Sequence, residues 1–184
     1  MKHLVILALL LLCLTPTPQD LESKIKTFRN HKRFSVRYDR FKDRTTVDVG
    51  PFVVGGNMRY FATNSQLYMT ALFTYSGQTV TAPVERFAFW FRASGKNWEF
   101  LKSRELYAIA DGERFDFGEG HYDGDVSGSY WGVGVSETLG FVIPVASFEK
   151  LGKADNVELR IGDFELKLKD EHKEAFRDLL SLSK

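Results

Sequence analysis

The twelve residues Val157–Leu168, VELRIGDFELKL, constrain the fold more than any other stretch of this 184-residue chain. Two alternating runs flank Gly162-Asp163, and a glycine placed first in a two-residue loop suits a type II′ turn. With those two residues as the loop, counting outward fixes every partner. Ile161 faces Phe164, Leu159 faces Leu166 and Val157 faces Leu168, all on one face. On the other face Arg160 meets Glu165 and Glu158 meets Lys167. A slip of one residue would set Leu and Phe against charges, so this register is strongly preferred. Asp170 then stands as an N-cap before EHKEAFRDLLSL, where Ala175, Phe176, Leu179 and Leu180 form a stripe at helical spacing. Glu171 lies in the first turn, where a negative charge suits the helix dipole. The apolar face of the hairpin needs a cover, and the helix stripe needs a seat.

Upstream the chain is rich in strand signals. RFSVRY (Arg33–Tyr38) alternates, and TTVDV (Thr45–Val49) follows, ended by Gly50-Pro51. Gly55-Gly56-Asn57 marks a turn. Leu67–Tyr75 places Leu67, Met69, Ala71, Phe73 and Tyr75 on one face. In Arg86–Arg92, RFAFWFR, three phenylalanines take one face while Arg86, Ala88, Trp90 and Arg92 take the other. Glu105–Gly118 reads as a second hairpin about Asp111-Gly112, a type I′ pair, with Leu106 opposite Phe117, Ala108 opposite Phe115 and Ile109 opposite Arg114. Glu119–Ser129 reads as a Gly-rich acidic loop, with strands at Trp131–Val135 and Leu139–Val145 beside it. Ser147–Leu151 reads as one helical turn capped by Ser147 and left at Gly152. Gln19–Asn30 reads as a short amphipathic helix or a linker, since Leu21, Ile25 and Phe28 share a face. Strands of this length with turn signals at roughly ten-residue spacing point to a mainly β fold. The expected architecture is an antiparallel β-sandwich with a C-terminal α-helix packed on it.

The opening residues set an expectation for compartment. Lys2 and His3 precede the apolar run Leu4–Leu14, which is too short for a bilayer span of about 20 residues and has the form of a secretory signal. Residues 1–18 are therefore expected to be a signal peptide, 19–32 a short helix or linker, and 33–184 the sandwich with its terminal helix. The location expected is periplasmic or extracellular. Cys13 leaves a lipoprotein alternative open, although Leu12 before it is larger than the usual lipidation pattern takes. Removal near Pro18 would leave no cysteine, which excludes disulfides, thiol catalysis and thiolate metal sites. It would also leave a net charge of zero, which argues against nucleic-acid binding. The charge is unevenly spread: Asp20–Arg44 carries nine Lys/Arg against four Asp/Glu, and this basic segment, 24–44, is a candidate for peripheral contact with anionic lipid. The alternative is a solvated strand and helix surface.

Catalytic motifs are absent. Gly134-Val135-Ser136-Glu137-Thr138 departs from a nucleophile elbow at its last position, and Gly132-Val133-Gly134 lacks the third glycine of a dinucleotide loop. After the signal the histidines are His31, His121 and His172, scattered singly, with His172 expected to be exposed in the first helical turn. The densest cluster of chemistry-bearing residues is Asp111, Glu113, Asp116, Glu119, His121, Asp123 and Asp125. From it Asp116, Glu119, His121, Asp123 and Asp125 are the candidate ligand-binding residues. Asp123-Gly124-Asp125 resembles part of a calcium loop without its full pattern, and two such carboxylates could serve a glycoside hydrolase as acid and base. The plainer alternative is a solvated connection in which Gly and Asp supply turns. Trp90, Trp98, Tyr130 and Trp131 are candidates for stacking on sugars or peptide groups, against the commoner role of strand aromatics in a core.

Three stretches, YDRFKDRTTVDVG (Tyr38–Gly50), LYAIADGERFDFGEG (Leu106–Gly120) and Phe141–Leu182, together resemble in layout a group of exported bacterial β-rich proteins with a C-terminal helix. The resemblance implies an export signal, a β-rich body and a terminal helix, and it brings no catalytic residue, cofactor or metal. The function expected is a non-enzymatic binding or structural module whose partner is a protein or another envelope component. The alternatives are a hydrolase or calcium-binding protein using residues 111–125, and a lipid-anchored accessory subunit of an envelope complex.

Overall fold

In the computed structural model, which describes residues 18–55, 66–129 and 132–184, ten strands form two antiparallel sheets. The strands are β1 (Phe34–Asp39), β2 (Arg44–Val53), β3 (Gln66–Ser76), β4 (Arg86–Gly95), β5 (Glu105–Ala110), β6 (Glu113–Glu119), β7 (His121–Ser129), β8 (Gly132–Pro144), β9 (Val157–Ile161) and β10 (Phe164–Lys167). The larger sheet has the order β1-β2-β3-β4-β8-β7 and the smaller β10-β9-β5-β6. Among the described residues three α-helices accompany them: α1 (Pro18–Ile25), α2 (Val145–Lys153) and α3 (Asp170–Ser181). The protein is a β-sandwich with a C-terminal helix packed on it. Among the described residues no helix is long and apolar enough to cross a bilayer. Residues 1–17, Gly56-Asn57 of the expected turn, Tyr130 and Trp131 lie outside the described residues.

The β9–β10 hairpin has the register its pattern dictates: Ile161 opposite Phe164, Leu159 opposite Leu166, Arg160 opposite Glu165 and Glu158 opposite Lys167. Leu168 N–H continues the pairing onto the Val157 carbonyl at 2.9 Å. Gly162 is in the left-handed region at φ +54° while Asp163 is not, as a type II′ turn requires. A side chain at Gly162 would also strike the Ser103 carbonyl, 2.6 Å from the Cβ position. The β5–β6 turn has positive φ at both Asp111 and Gly112, the type I′ signature. Its register holds at Ala108–Phe115 and Ile109–Arg114 and then shifts, so that Glu105 meets Glu119 and the expected Leu106–Phe117 pair falls in an irregularity. Gly118, at φ +72°, takes up the extra residue.

Three expectations are corrected. Strand β2 does not stop at Gly50-Pro51 but bulges there and resumes at Phe52 opposite Met69. Strand β1 reaches only Val49, so Pro51 has no β1 residue opposite it, and the bulge takes it out of the ladder with β3. Residues 119–129 are no loop. Nearly all of them belong to β7, paired with β8 from His121–Gly140 to Ser129–Gly132. The turn at Ser147–Leu151 is a nine-residue helix, α2, with Pro144 at its N-cap and Gly152 inside it.

The inward rows of β4 and β8 supply the wall on which the helices sit. Phe87 and Phe148 stack with centroids 4.0 Å apart and planes 4° apart, and Phe176 lies 5.1 Å from both Phe89 and Phe148. The terminal stripe thus finds its aromatic seat on β4 and α2, with Ala175, Phe176, Leu179 and Leu180 buried. Leu21 and Ile25 of α1 join the same core, so this segment is part of the body.

His172 is 1 % exposed, contrary to expectation. Asp170 opens the helix rather than capping it, and Lys169 is the N-cap. The Lys169 N–H donates to His172 Nδ1 at 3.2 Å, so His172 does the work of the Glu or Gln of a capping box. Its ring packs 5.0 Å from Phe52. Burial pushes its pKa below the usual value. The neutral ring, with Nδ1 free to accept, is therefore the form the fold holds. Its contribution is complete above the unfolded-chain pKa of about 6.5 and is lost as the pH falls from there through the folded value, because the unfolded chain takes the proton first. Chemical denaturation at pH 7.5 and pH 5 is expected to show a loss of stability on acidification that shrinks in His172→Gln, which keeps an acceptor without the titration. An equal loss in both proteins would refute this role.

Candidate functional site

Alternation on the long strands of the larger sheet decides which side chains meet solvent together. With Phe87, Phe89 and Phe91 turned inward, Ala88, Trp90, Arg92 and Ser94 must point outward. Cross-strand pairing then lays down three outward rows. Thr70, Trp90, Gly140 and His121 form one; Tyr68, Arg92, Thr138 and Asp123 the next; Gln66, Ser94, Ser136 and Asp125 the third. Together with Pro51, Phe141 and Val142, most of these residues line an open groove of about 1200 Å³.

Trp90 is the exposed centre of this face, at 53 % of its surface. Its neighbour on β8 is Gly140, and a Cβ there would lie 3.4 Å from the indole Nε1 and 3.6 Å from Cδ1. The missing side chain lets the pyrrole edge of the ring rest against the strand backbone. Arg92 Nε donates to Ser136 Oγ at 3.3 Å, which directs the guanidinium along the groove. Ser136 is thus an outward strand hydroxyl and belongs to no nucleophile elbow. His121, Asp123 and Asp125 stand at alternate positions of β7, spaced roughly 7 Å apart by strand geometry. Asp125 Oδ1 also accepts the Val126 N–H at 2.8 Å.

The acidic cluster of the sequence is therefore divided. His121, Asp123 and Asp125 share the groove, whereas Asp116 and Glu119 lie on β6 in the other sheet. Asp116 Oδ1 accepts the Gly118 N–H at 2.9 Å and supports the irregularity there. Glu119 pairs across from Glu105. Asp111 accepts the Asp155 and Asn156 N–H groups at 3.0 and 2.8 Å, which holds its carboxyl below the usual range, and Glu113 pairs with Lys150 at 2.6 Å. The change of sheet occurs at Gly120, where a Cβ would come within 2.7 Å of the Phe141 ring. Among the described residues no three of His, Cys, Asp and Glu gather as a metal site. The three histidines among the described residues sit on separate elements: a 3-10 turn, β7 and α3.

Behind the groove lies a residue that the sequence reading passed over. Glu137 on β8 points inward and is 1 % exposed. Its carboxylate accepts the Glu99 N–H at 2.6 Å, the Phe100 N–H at 3.0 Å and the Tyr122 hydroxyl at 3.1 Å. Arg104 lies over the Tyr122 ring at 4.0 Å and donates Nε to the Phe100 carbonyl at 2.9 Å. Burial, and then the charge of Glu137, raises the Tyr122 and Glu99 pKa values. Trp98 packs beside Tyr122 against Gly124, whose Cβ position is 2.7 Å from the indole. The strand alternation Val135, Glu137, Leu139, Phe141, Ile143 was the signal that placed this acid inside.

Glu137 thus clamps residues 95–104 to the back of the groove. Glu137→Gln puts an amide where an acceptor is needed, and it is expected to cost about 1–3 kcal/mol. Hydrogen exchange at Glu99 and Phe100 should accelerate more than at the β9–β10 hairpin; uniform exchange would contradict the clamp.

No family model matches the chain, and neither a curated protein nor a solved structure matches it.

Proposed function

We propose that this chain is an exported, non-enzymatic binding module that takes an elongated, hydroxyl-rich ligand, a glycan strand, across the outer face of its larger sheet. The observation that carries this reading is the half-exposed Trp90 resting on Gly140 at the centre of a groove edged by ionic and hydroxyl side chains. A sugar ring offers one apolar face of C–H groups and an equator of hydroxyls. An indole supported from beneath receives the first without a large conformational cost. Arg92, Asp123, Asp125 and Thr138 supply donors and acceptors for the second. The apolar run Leu4–Leu14 supports export, and the resemblance in layout supports a bacterial envelope setting.

A hydrolase reading is less well supported. Acid–base cleavage of a glycoside needs one carboxyl kept protonated by its surroundings, and Asp123 and Asp125 are both exposed. The lipid-anchored alternative rests on Cys13 and is decided by the mass of the mature N-terminus.

Binding to a panel of polysaccharides, including peptidoglycan, should be measurable by co-sedimentation. Trp90→Ala is expected to weaken it about tenfold or more without changing the melting temperature. Failure to bind any polysaccharide, or a Trp90→Ala protein that binds as well as the parent, would remove the proposal. Millimolar calcium should leave the melting temperature unchanged. A rise abolished by Asp123→Asn with Asp125→Asn would restore the calcium reading.

A further inference from the structure

The turn joining β1 to β2 carries a feature that neither the core nor the groove uses. Phe41, at its tip, is 86 % exposed, the most exposed of the large apolar side chains described. Arg40, Lys42 and Arg44 surround it, and the Arg40 guanidinium lies 4.8 Å from the Phe41 ring. None of these three cations has an ion-pair partner among the described residues. The two carboxylates of the turn are engaged within it. Asp39 accepts the Phe41 N–H at 2.9 Å and the Lys42 N–H at 3.3 Å, and Asp43 accepts the Tyr38 hydroxyl at 2.8 Å. An apolar ring presented at a turn held by its own acids, with unpaired cations about it, is complementary to a surface that is negative outside and apolar beneath.

Where this tip sits is a second, independent observation. The Gly77 N–H donates to the Asp43 carbonyl at 2.8 Å, tying the tip to the β3–β4 connection. That connection reaches the end of the chain, where the Val84 N–H donates to the Ser183 carbonyl at 3.4 Å. Lys24 Nζ in turn donates to the Ser181 carbonyl at 2.6 Å, while Arg29, beyond α1, lies 3.6 Å from Glu174, so the chain from Lys24 to Arg29 runs antiparallel to α3. Lys24 and the end of α3 are therefore joined through the β3–β4 connection to the turn that carries Phe41.

We propose that the β1–β2 tip docks the protein on an anionic lipid surface, with Phe41 entering the interface and Arg40, Lys42 and Arg44 meeting the headgroups. The contact is peripheral and independent of the groove. Each cation near such a surface multiplies binding by about fivefold, and the effect falls with salt. The ring adds about tenfold.

The test is co-sedimentation of the protein, purified after export from cells producing the full chain, with two kinds of vesicle. One is phosphatidylcholine alone; the other contains about one-third phosphatidylglycerol. The expected result is binding to the anionic vesicles only, weakened by salt. It should fall about tenfold in Phe41→Ser and at least as far in Arg40→Glu with Lys42→Glu. Equal binding to both vesicles, binding to neither, or binding that survives both variants overturns the proposal. Polysaccharide binding should be the same in the parent and in both tip variants.

Discussion

The stack of phenylalanines on β4 is the interaction on which the rest of the structure depends. Phe87, Phe89 and Phe91 all face inward, and Phe148 and Phe176 from the two late helices close over the first two. Ring faces of this size bury more apolar area per residue than any aliphatic side chain. They fix the distance between sheet and helices and commit one face of β4 wholly to the interior. The period of two then leaves Trp90 and Arg92 no direction but outward. The outer face of the larger sheet is in this sense a by-product of the core: the side chains that project from it are those the aromatic stack cannot take.

Pairing across β8 and β7 completes that face. A glycine at 140 lets the indole settle, and Glu137, turned the other way, gathers the 95–104 segment behind it. Removing water from an ionised carboxylate is costly unless it is bonded, and three donors converge on this one. The back of the groove is held by a polar knot and its front is open.

Local pattern made the two hairpins legible. Their strands are adjacent in the chain, and in VELRIGDFELKL each cross-strand pair agrees with the next, so the register could be counted from the turn. Interactions made across the fold were not legible in the same way. Strand β7 is polar and glycine-rich, and Asp and Gly ordinarily signal turns; it becomes a strand because β8 offers thirteen residues to pair with. The division of the acidic cluster followed from that, since nothing local marks Gly120 as the point where the chain leaves one sheet for the other. His172 and Glu137 were readable in retrospect. His172 stands four residues before Phe176, within the buried stripe, and Glu137 falls in the inward row of β8. In both cases polarity spoke for exposure and periodicity for burial, and periodicity prevailed because the fold supplied partners.

Among the described residues β7 has β8 on one side and no strand on the other. One margin of the groove is thus a rim of backbone amides and carbonyls with hydrogen-bonding capacity to spare, the feature by which exposed strands recruit further chains and grow into fibres. Here Asp123 and Asp125 line that rim at alternate positions, and a second copy laid alongside would bring like charges together. The carboxylates that face the groove therefore also oppose the extension of the sheet along this rim.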